Sequence, residues 1–128
     1  MVYRVMIFAG RKDGITHDYF KARYEQHMHL MAKLAGDAAP LKHTRWYPKH
    51  EGPDDKPLFL AGSPDSMYHD VIAEITCKDE GAWKAFVQAL STEDASAAIA
   101  ADEAGFWDRS RSNVVVIGNV EVWEGEKN

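Results

Sequence analysis

One helix dominates the pattern of this chain. From Thr16 to about Leu34, stepping about 100° per residue, Phe20, Tyr24, Leu30, Met31 and Leu34 fall within about 60° of His27. Thr16 is placed to cap the helix, Ile15 to staple onto Phe20, and Gly36 to stop it. An apolar stripe of this length needs a broad partner, and the rest of the sequence supplies strands.

MVYRVMIFAG (1–10) reads as a strand with apolar residues on both faces, and RKDGI as the turn after it. LKHTRWY (41–47) alternates by two and stops at Pro48, and YHDVIAEITC (68–77) is a second clean strand. Between them, 51–66 carries Pro53, Pro57 and Pro64 without any period and reads as a loop. Asp79 can cap a helix over 79–90, and Ser91, with Asp94 three residues on, a second over 91–107. NVVVIGNVEVW (113–123) closes the chain as a strand whose apolar run predicts burial on both faces. The order β-α-β-β-α-α-β is that of an α+β, ferredoxin-like split βαβ fold with its second helix broken in two. Helices on one face of a four-stranded sheet leave the other face open. Trp46, Trp123 and the valines of the last strand make that face too apolar for water, which predicts a homodimer packed sheet to sheet.

Composition narrows the function. The 128 residues suit one domain, 1–128, and a net charge of -5 argues against a nucleic-acid partner. With one cysteine, Cys77, an internal disulfide is impossible, and the expected role is a small buried hydrophobe in a strand. No leader pattern or 18-residue apolar run appears, so the expectation is a soluble, cytoplasmic protein without a membrane partner.

In YEQHMHL (24–30), His27 lies on the core stripe, while His29 lies about 200° from it and points out. A core histidine with one or two hydrogen bonds is the bland explanation of His27. Arg23 also falls in the stripe, where its stem can lie on apolar surface and its head reach water or a carboxylate. The company of His27 suggests more. Strand alternation puts Leu41, His43, Arg45 and Tyr47 on one face, and Tyr68, Asp70, Ile72 and Glu74 on one face of the next strand. Asp102 falls on the apolar stripe of the third helix with Ala95, Ala98, Ile99 and Phe106. Buried ionisable groups are costly unless paired, so a polar cavity or a core ion pair between Asp102 and Arg45 is expected.

The stretches YRVMIFAGRKDGIT, DYFKARYEQHMHL, PLKHTRWY and ADEAGFWDRSRSNVVV resemble the EthD-like family of dimeric α+β barrel proteins, in particular short fungal members found with aromatic polyketide biosynthesis. The first-helix pattern of that family resembles Tyr-Glu-x-x-His-x-Pro-Leu. Here Tyr24-Glu25-Gln26-His27 has one residue fewer before the histidine, and His29 stands where proline is common. The resemblance implies cofactor-free decarboxylation, dehydration or ring closure of an aromatic polyketide substrate. The residue types fit such chemistry. His27 or His43, assisted by Asp102, can exchange a proton near neutral pH. Arg45, or Lys42, can hold a carboxylate, with Tyr24, Tyr47, Trp83, Phe86 and Phe106 as flat walls. No phosphate loop, GxSxG elbow or HExxH is present. His27, His43 and Asp102 could form a metal triad, but no metal is expected, and His17, His50 and His69 read as surface or interface residues. Two other readings stay open. One is a non-catalytic binding protein with the same pocket; the other is a monooxygenase of the same barrel type.

Overall fold

The long helix forms where its caps put it. In a computed structural model, which describes residues 2–65, 67 and 69–126, α1 spans His17–Ala35, and the Thr16 hydroxyl accepts from the Tyr19 N–H at 3.1 Å. Asp55 Oδ2 accepts from the His17 N–H at 2.7 Å, so a second free donor at this end meets a carboxylate, as the helix dipole favours. Gly36, at φ 57°, ends the helix in a conformation that a Cβ would strain. Ile15 packs against the cluster that contains Phe20.

Strands β1 (Tyr3–Arg11) and β2 (Lys42–Trp46) flank this helix in sequence. A two-residue hairpin, β3 (His50–Glu51) and β4 (Lys56–Pro57), then appears inside the segment expected to be plain loop. Asp55 and Gly52, with φ of 52° and 80°, make its turn without any alternation for a sequence pattern to show. β5 (Val71–Cys77), α2 (Glu80–Leu90), α3 (Glu93–Glu103) and β6 (Trp107–Ile117) complete the chain. The four long strands pair antiparallel in the order β2-β5-β1-β6, the ferredoxin-like arrangement expected from the element order.

Several boundaries differ from the sequence reading: α3 stops at Glu103 instead of 107, and the last strand stops at Ile117 instead of Trp123. Asp79 caps α2 as expected, its Oδ1 accepting from the Ala82 N–H at 2.7 Å, but α3 is capped by Thr92 and not by Ser91. Ser91 is the C-cap of α2, and its hydroxyl donates back to the Val87 carbonyl, so the next extended residue takes the cap. The last strand begins at Trp107, not Asn113, because its first half, WDRSRS, is polar and lacks the apolar signal. Between Phe8↔Asn113 and Gly10↔Asp108 the register shifts, so that Ala9 alone faces the stretch from Arg109 to Ser112.

Directly paired residues share a sheet face. Val5, Ile7 and Ala9 of β1 face the helices with Ala73, Ile75 and Val71 of β5, and all six are buried. Around them Phe20, Tyr24, Phe86 and Phe106 close the core, and Cys77 is buried in β5 as expected. His43 pairs with Ile75 and Arg45 with Ala73, so both lie on the helix side, as the alternation predicts. The opposite face carries Met6, Phe8, Trp46, Ile72, Val115 and Ile117, with no helix over it. Val114, Val115 and Val116 are all exposed, contrary to the expectation of burial on both faces, because β6 is the edge of the sheet and the helices do not reach it. Trp123 lies beyond β6 and is exposed. Tyr68, expected at the start of β5, lies outside the described residues. No helix among the described residues is long and apolar enough to cross a membrane.

Because Thr16 answers an N–H that water alone would otherwise satisfy, Thr16→Ala is expected to lower stability by about 1 kcal/mol in urea unfolding. Thr92→Ala should weaken α3 more than Ser91→Ala does, the reverse of what a Ser91 cap would give.

Candidate functional site

The helix register that builds the core delivers His27 into it. Its side chain is 1% exposed, edge-on to the rings of Phe106 and Trp107. Nδ1 lies 2.8 Å from Asp102 Oδ2, and Nε2 lies 3.1 Å from Glu103 Oε2. A carboxylate only accepts, so both nitrogens donate and the ring carries two protons in this arrangement. Arg23 Nη2 donates to Asp102 Oδ1 at 3.2 Å, which is the carboxylate its head was expected to reach. Gly105 leaves room for that guanidinium, since a Cβ there would fall 2.8 Å from Arg23 Nη1. At the other end Arg109 grips Glu103 with Nε at 2.7 Å and Nη2 at 2.5 Å, and its guanidinium lies 4.4 Å over the Trp107 ring. Burial alone would push the Glu103 carboxyl up. Donation from His27 and Arg109 outweighs it and holds Glu103 below the usual carboxylate range.

Glu103 and Arg109 are the polar end of a cavity of about 340 Å³ whose walls include Ile7, Ile75, Trp83, Phe86, Leu90, Ile99 and Trp107. The arrangement is a flat-walled apolar chamber with an ion pair at one end and a protonated imidazole behind it. Trp83 and Phe86 line this cavity, and Phe106 packs behind His27.

The other candidate residues gather elsewhere. Arg45 donates through Nε and Nη2 to Glu25 at 2.7 and 2.9 Å, and the Tyr47 hydroxyl donates to the same carboxylate. The expected core pair between Arg45 and Asp102 does not form, because Glu25 on α1 faces Arg45 across β2 while Asp102 is taken by His27 and Arg23. Arg45 and then Tyr47 hold the Glu25 carboxyl below its ordinary range. Tyr47 is pushed well up, by burial first and then by its bond to Glu25. His43 Nε2 lies 3.3 Å from the hydroxyl of Tyr24, whose own ionisation burial pushes far up. Burial, and then the charge of Arg45, lowers His43 to about 4, so it is a neutral imidazole at neutral pH. His43, Lys42 and Arg45 line a second cavity of about 250 Å³, which shares Met31 and Phe86 with the first. His27, His43 and Asp102 therefore do not form the triad that the sequence allows. His29 is exposed, as its helix phase predicts.

A second polar cluster overturns the surface reading of His17 and His50. His17 is buried at the first residue of α1, and the His50 side chain is 3% exposed under the hairpin. Both approach Asp70, whose carboxylate also accepts from the Arg11 N–H at 2.9 Å and from Arg11 Nη1 at 2.7 Å. Burial opposes ionisation of Asp70, but these hydrogen bonds and the Arg11 charge hold it far below the ordinary value. His69 is half-buried against Phe8 on the open sheet face, with no partner for Nδ1 among the described residues.

The chain has a counterpart among known families. Residues 12–110 match the EthD domain. The chain belongs to the EthD family. An EthD family protein of Bacillus halodurans superposes with a TM-score of 0.55 at 12% identity, over 94% of this chain and 100% of its own. A dimeric ferredoxin-like protein of unknown function from Thermobifida fusca gives 0.52 at 18%, covering 93% and 92%. SnoaB, a cofactor-independent oxygenase from Streptomyces nogalater, gives 0.50 at 10%, covering 94% and 93%. No curated protein matches the chain.

Glu103 and Arg109 were not singled out in the sequence. Arg109 sits in the polar half of β6, and Glu103 is one residue past the stripe position of Asp102. The pairing of Trp107, Arg109 and Arg111 at alternate positions was the available signal, hidden while 91–107 read as a helix.

The depressed His43 value fixes a sign. Between about 6.5 and about 4 the unfolded chain takes up a proton at position 43 that the folded one refuses, so this residue makes stability fall as pH falls through that window. His43→Gln removes a slope of at most about 1.4 kcal/mol per pH unit. Urea unfolding at successive pH values should show the stability of the variant gaining on that of the wild type toward acid.

Proposed function

We propose that this EthD protein is a polyketide-tailoring enzyme of lyase type that works without a bound cofactor on an aromatic polyketide acid held in the cavity between sheet, α2 and α3. The observation that carries the reading is the Asp102–His27–Glu103 relay, buried at one end and opening on the apolar chamber at Glu103 and Arg109. In a decarboxylation the proton on His27 Nε2 passes to Glu103 and from it to the ring carbon that bears the carboxylate. The carbon–carbon bond then breaks, its electron pair stays in the ring, and carbon dioxide leaves. Asp102 steadies the imidazole through Nδ1, and solvent replaces the proton. In a dehydration Glu103, accepting from His27, takes the proton beside a carbonyl; the carbon–oxygen bond at the next carbon then breaks, and the departing hydroxide takes that proton from Glu103 and leaves as water. Arg109 has donors beyond the two that Glu103 occupies and can hold a phenolate or carboxylate oxygen. Met31 is a flexible wall common to both cavities; its displacement would join them and bring His43 and Arg45 to the far end of a polycyclic substrate.

With no cofactor added, hydroxylated anthraquinone carboxylic acids or β-hydroxy ketones should turn over. His27→Ala and Glu103→Gln, verified as folded by circular dichroism, should lower the rate by about 10²-fold or more while ligand binding largely persists. His29→Ala should stay near wild type. If neither substrate class reacts, the lyase reading fails. One neighbour favours a second reading: SnoaB is described as a cofactor-independent oxygenase, and dioxygen consumed in step with product would transfer the proposal to that chemistry.

We also infer a homodimer packed through the open sheet face. Met6, Phe8, Trp46, Ile72, Val115 and Ile117 give it an apolar patch beside the Arg4–Glu74 ion pair, and the Thermobifida fusca neighbour is described as dimeric. Sedimentation at micromolar concentration should return twice 14.4 kDa; a mass of 14.4 kDa would refute it.

A further inference from the structure

His17, His50 and Asp70 take no part in the reaction proposed above, yet they come from α1, β3 and the residue before β5 and are 8%, 3% and 3% exposed in their side chains. His17 Nδ1 lies 2.8 Å from Asp70 Oδ1, and His50 Nε2 lies 3.3 Å from the same oxygen. The other nitrogen of His50, Nδ1, is 2.8 Å from the Pro48 carbonyl oxygen, which can only accept. Nδ1 therefore carries a proton, and in the neutral ring the lone pair sits on Nε2, aimed at a carboxylate oxygen. Two lone pairs at that distance repel. A positive species belongs between them, either a proton or a metal ion.

Three features favour the metal. The donor atoms of all three residues lie within 4.8 Å of one another, a span that one ion can bridge. A backbone carbonyl behind a histidine is the usual support of a metal-bound imidazole. Beside the cluster lies a cavity of about 280 Å³ with space for water ligands, where Asp13, Asp54, Asp55, Asp65 and Asp70 face Arg11, Lys12, Lys56 and Arg111, so its charge is nearly balanced. We propose that His17, His50 and Asp70 bind a divalent first-row metal ion of the zinc class. Two imidazoles and one carboxylate suit Zn²⁺, Fe²⁺ or Co²⁺, whereas Ca²⁺ and Mg²⁺ take oxygen shells.

Loading the site rearranges two contacts. Arg11 Nη1 now lies 2.7 Å from Asp70 Oδ1, but the same guanidinium already donates to the Asp55 carbonyl and lies 3.6 Å from Asp55 Oδ2, so it has a second carboxylate to move to. The rings of His17 and His50 are parallel within 9° and 3.5 Å apart. An ion in the plane of one is out of the plane of the other, so binding tilts His50 out of the stack. The bound ion clips the β3–β4 hairpin to the start of α1 and to the residue before β5.

Untagged protein, treated with chelator and dialysed, is titrated with Zn²⁺ by calorimetry and with Co²⁺ by visible absorbance. One ion per chain is expected, with visible cobalt bands and a rise in thermal midpoint. His50→Gln should weaken binding by at least about tenfold, and His29→Gln should not change it. Nitrogen NMR of the wild-type imidazoles gives a readout that needs no variant: metal should shift His17 Nδ1 and His50 Nε2 together. Equal affinity in wild type and His50→Gln would overturn the proposal. So would a His50 Nε2 that stays protonated at saturating metal, because a proton would then fill the place assigned to the ion.

Discussion

The structure hangs on one string of alternating charge. Arg23, Asp102, His27, Glu103 and Arg109 follow one another at hydrogen-bonding distance and tie α1, α3 and β6 together. The charges of His27 and Glu103, whose side chains are 1% and 10% exposed, are taken out of water at a cost of several kcal/mol unless partners surround them, so each is tolerable only because both of its neighbours are present. The string therefore specifies geometry more than it adds stability. A shift of α3 along α1 would leave a buried ion without its partner, whereas a shift of purely apolar surfaces would cost only some contact. A site that must hold a proton at a defined place gains from this rigidity.

The same string explains where a substrate can sit. Its middle is sealed by Phe106 and Trp107, its Arg23 end reaches the surface, and its Glu103 end meets the apolar chamber. Polarity enters that chamber at one point only among its described walls, apart from Ser91, which orients any ligand with one polar edge. The cluster around Asp70 is a separate system at the far end of α1, held by Arg11 and the hairpin.

Much of the fold was legible in the sequence because period and caps agree. Thr16, Gly36 and the stripe from Phe20 to Leu34 define α1, and alternation in 41–47 places His43 and Arg45 on the helix side. His27 and His29 separate on helix phase alone. What was not legible depends on pairing. Nothing near Glu25 in sequence says that it meets Arg45, and only the folded sheet brings them together. Glu103 and Arg109 are separated by a chain reversal whose strand half is charged, and hydrophobic periodicity is blind there. His17 and His50 looked like surface residues because their shelter is the hairpin, which itself has too few residues to show a period.

The register shift between Phe8 and Gly10 has a consequence for how this chain can change over generations. It divides β6 into a polar half that presents Arg109 to the chamber and an apolar half, from Asn113 on, that follows β1 in regular register. Slack in the intervening residues uncouples the two. Substitutions at Val115 and Ile117, on the open face, can accumulate without dragging Arg109 from Glu103, so the proposed dimer face and the proposed site are free to diverge separately along a single strand.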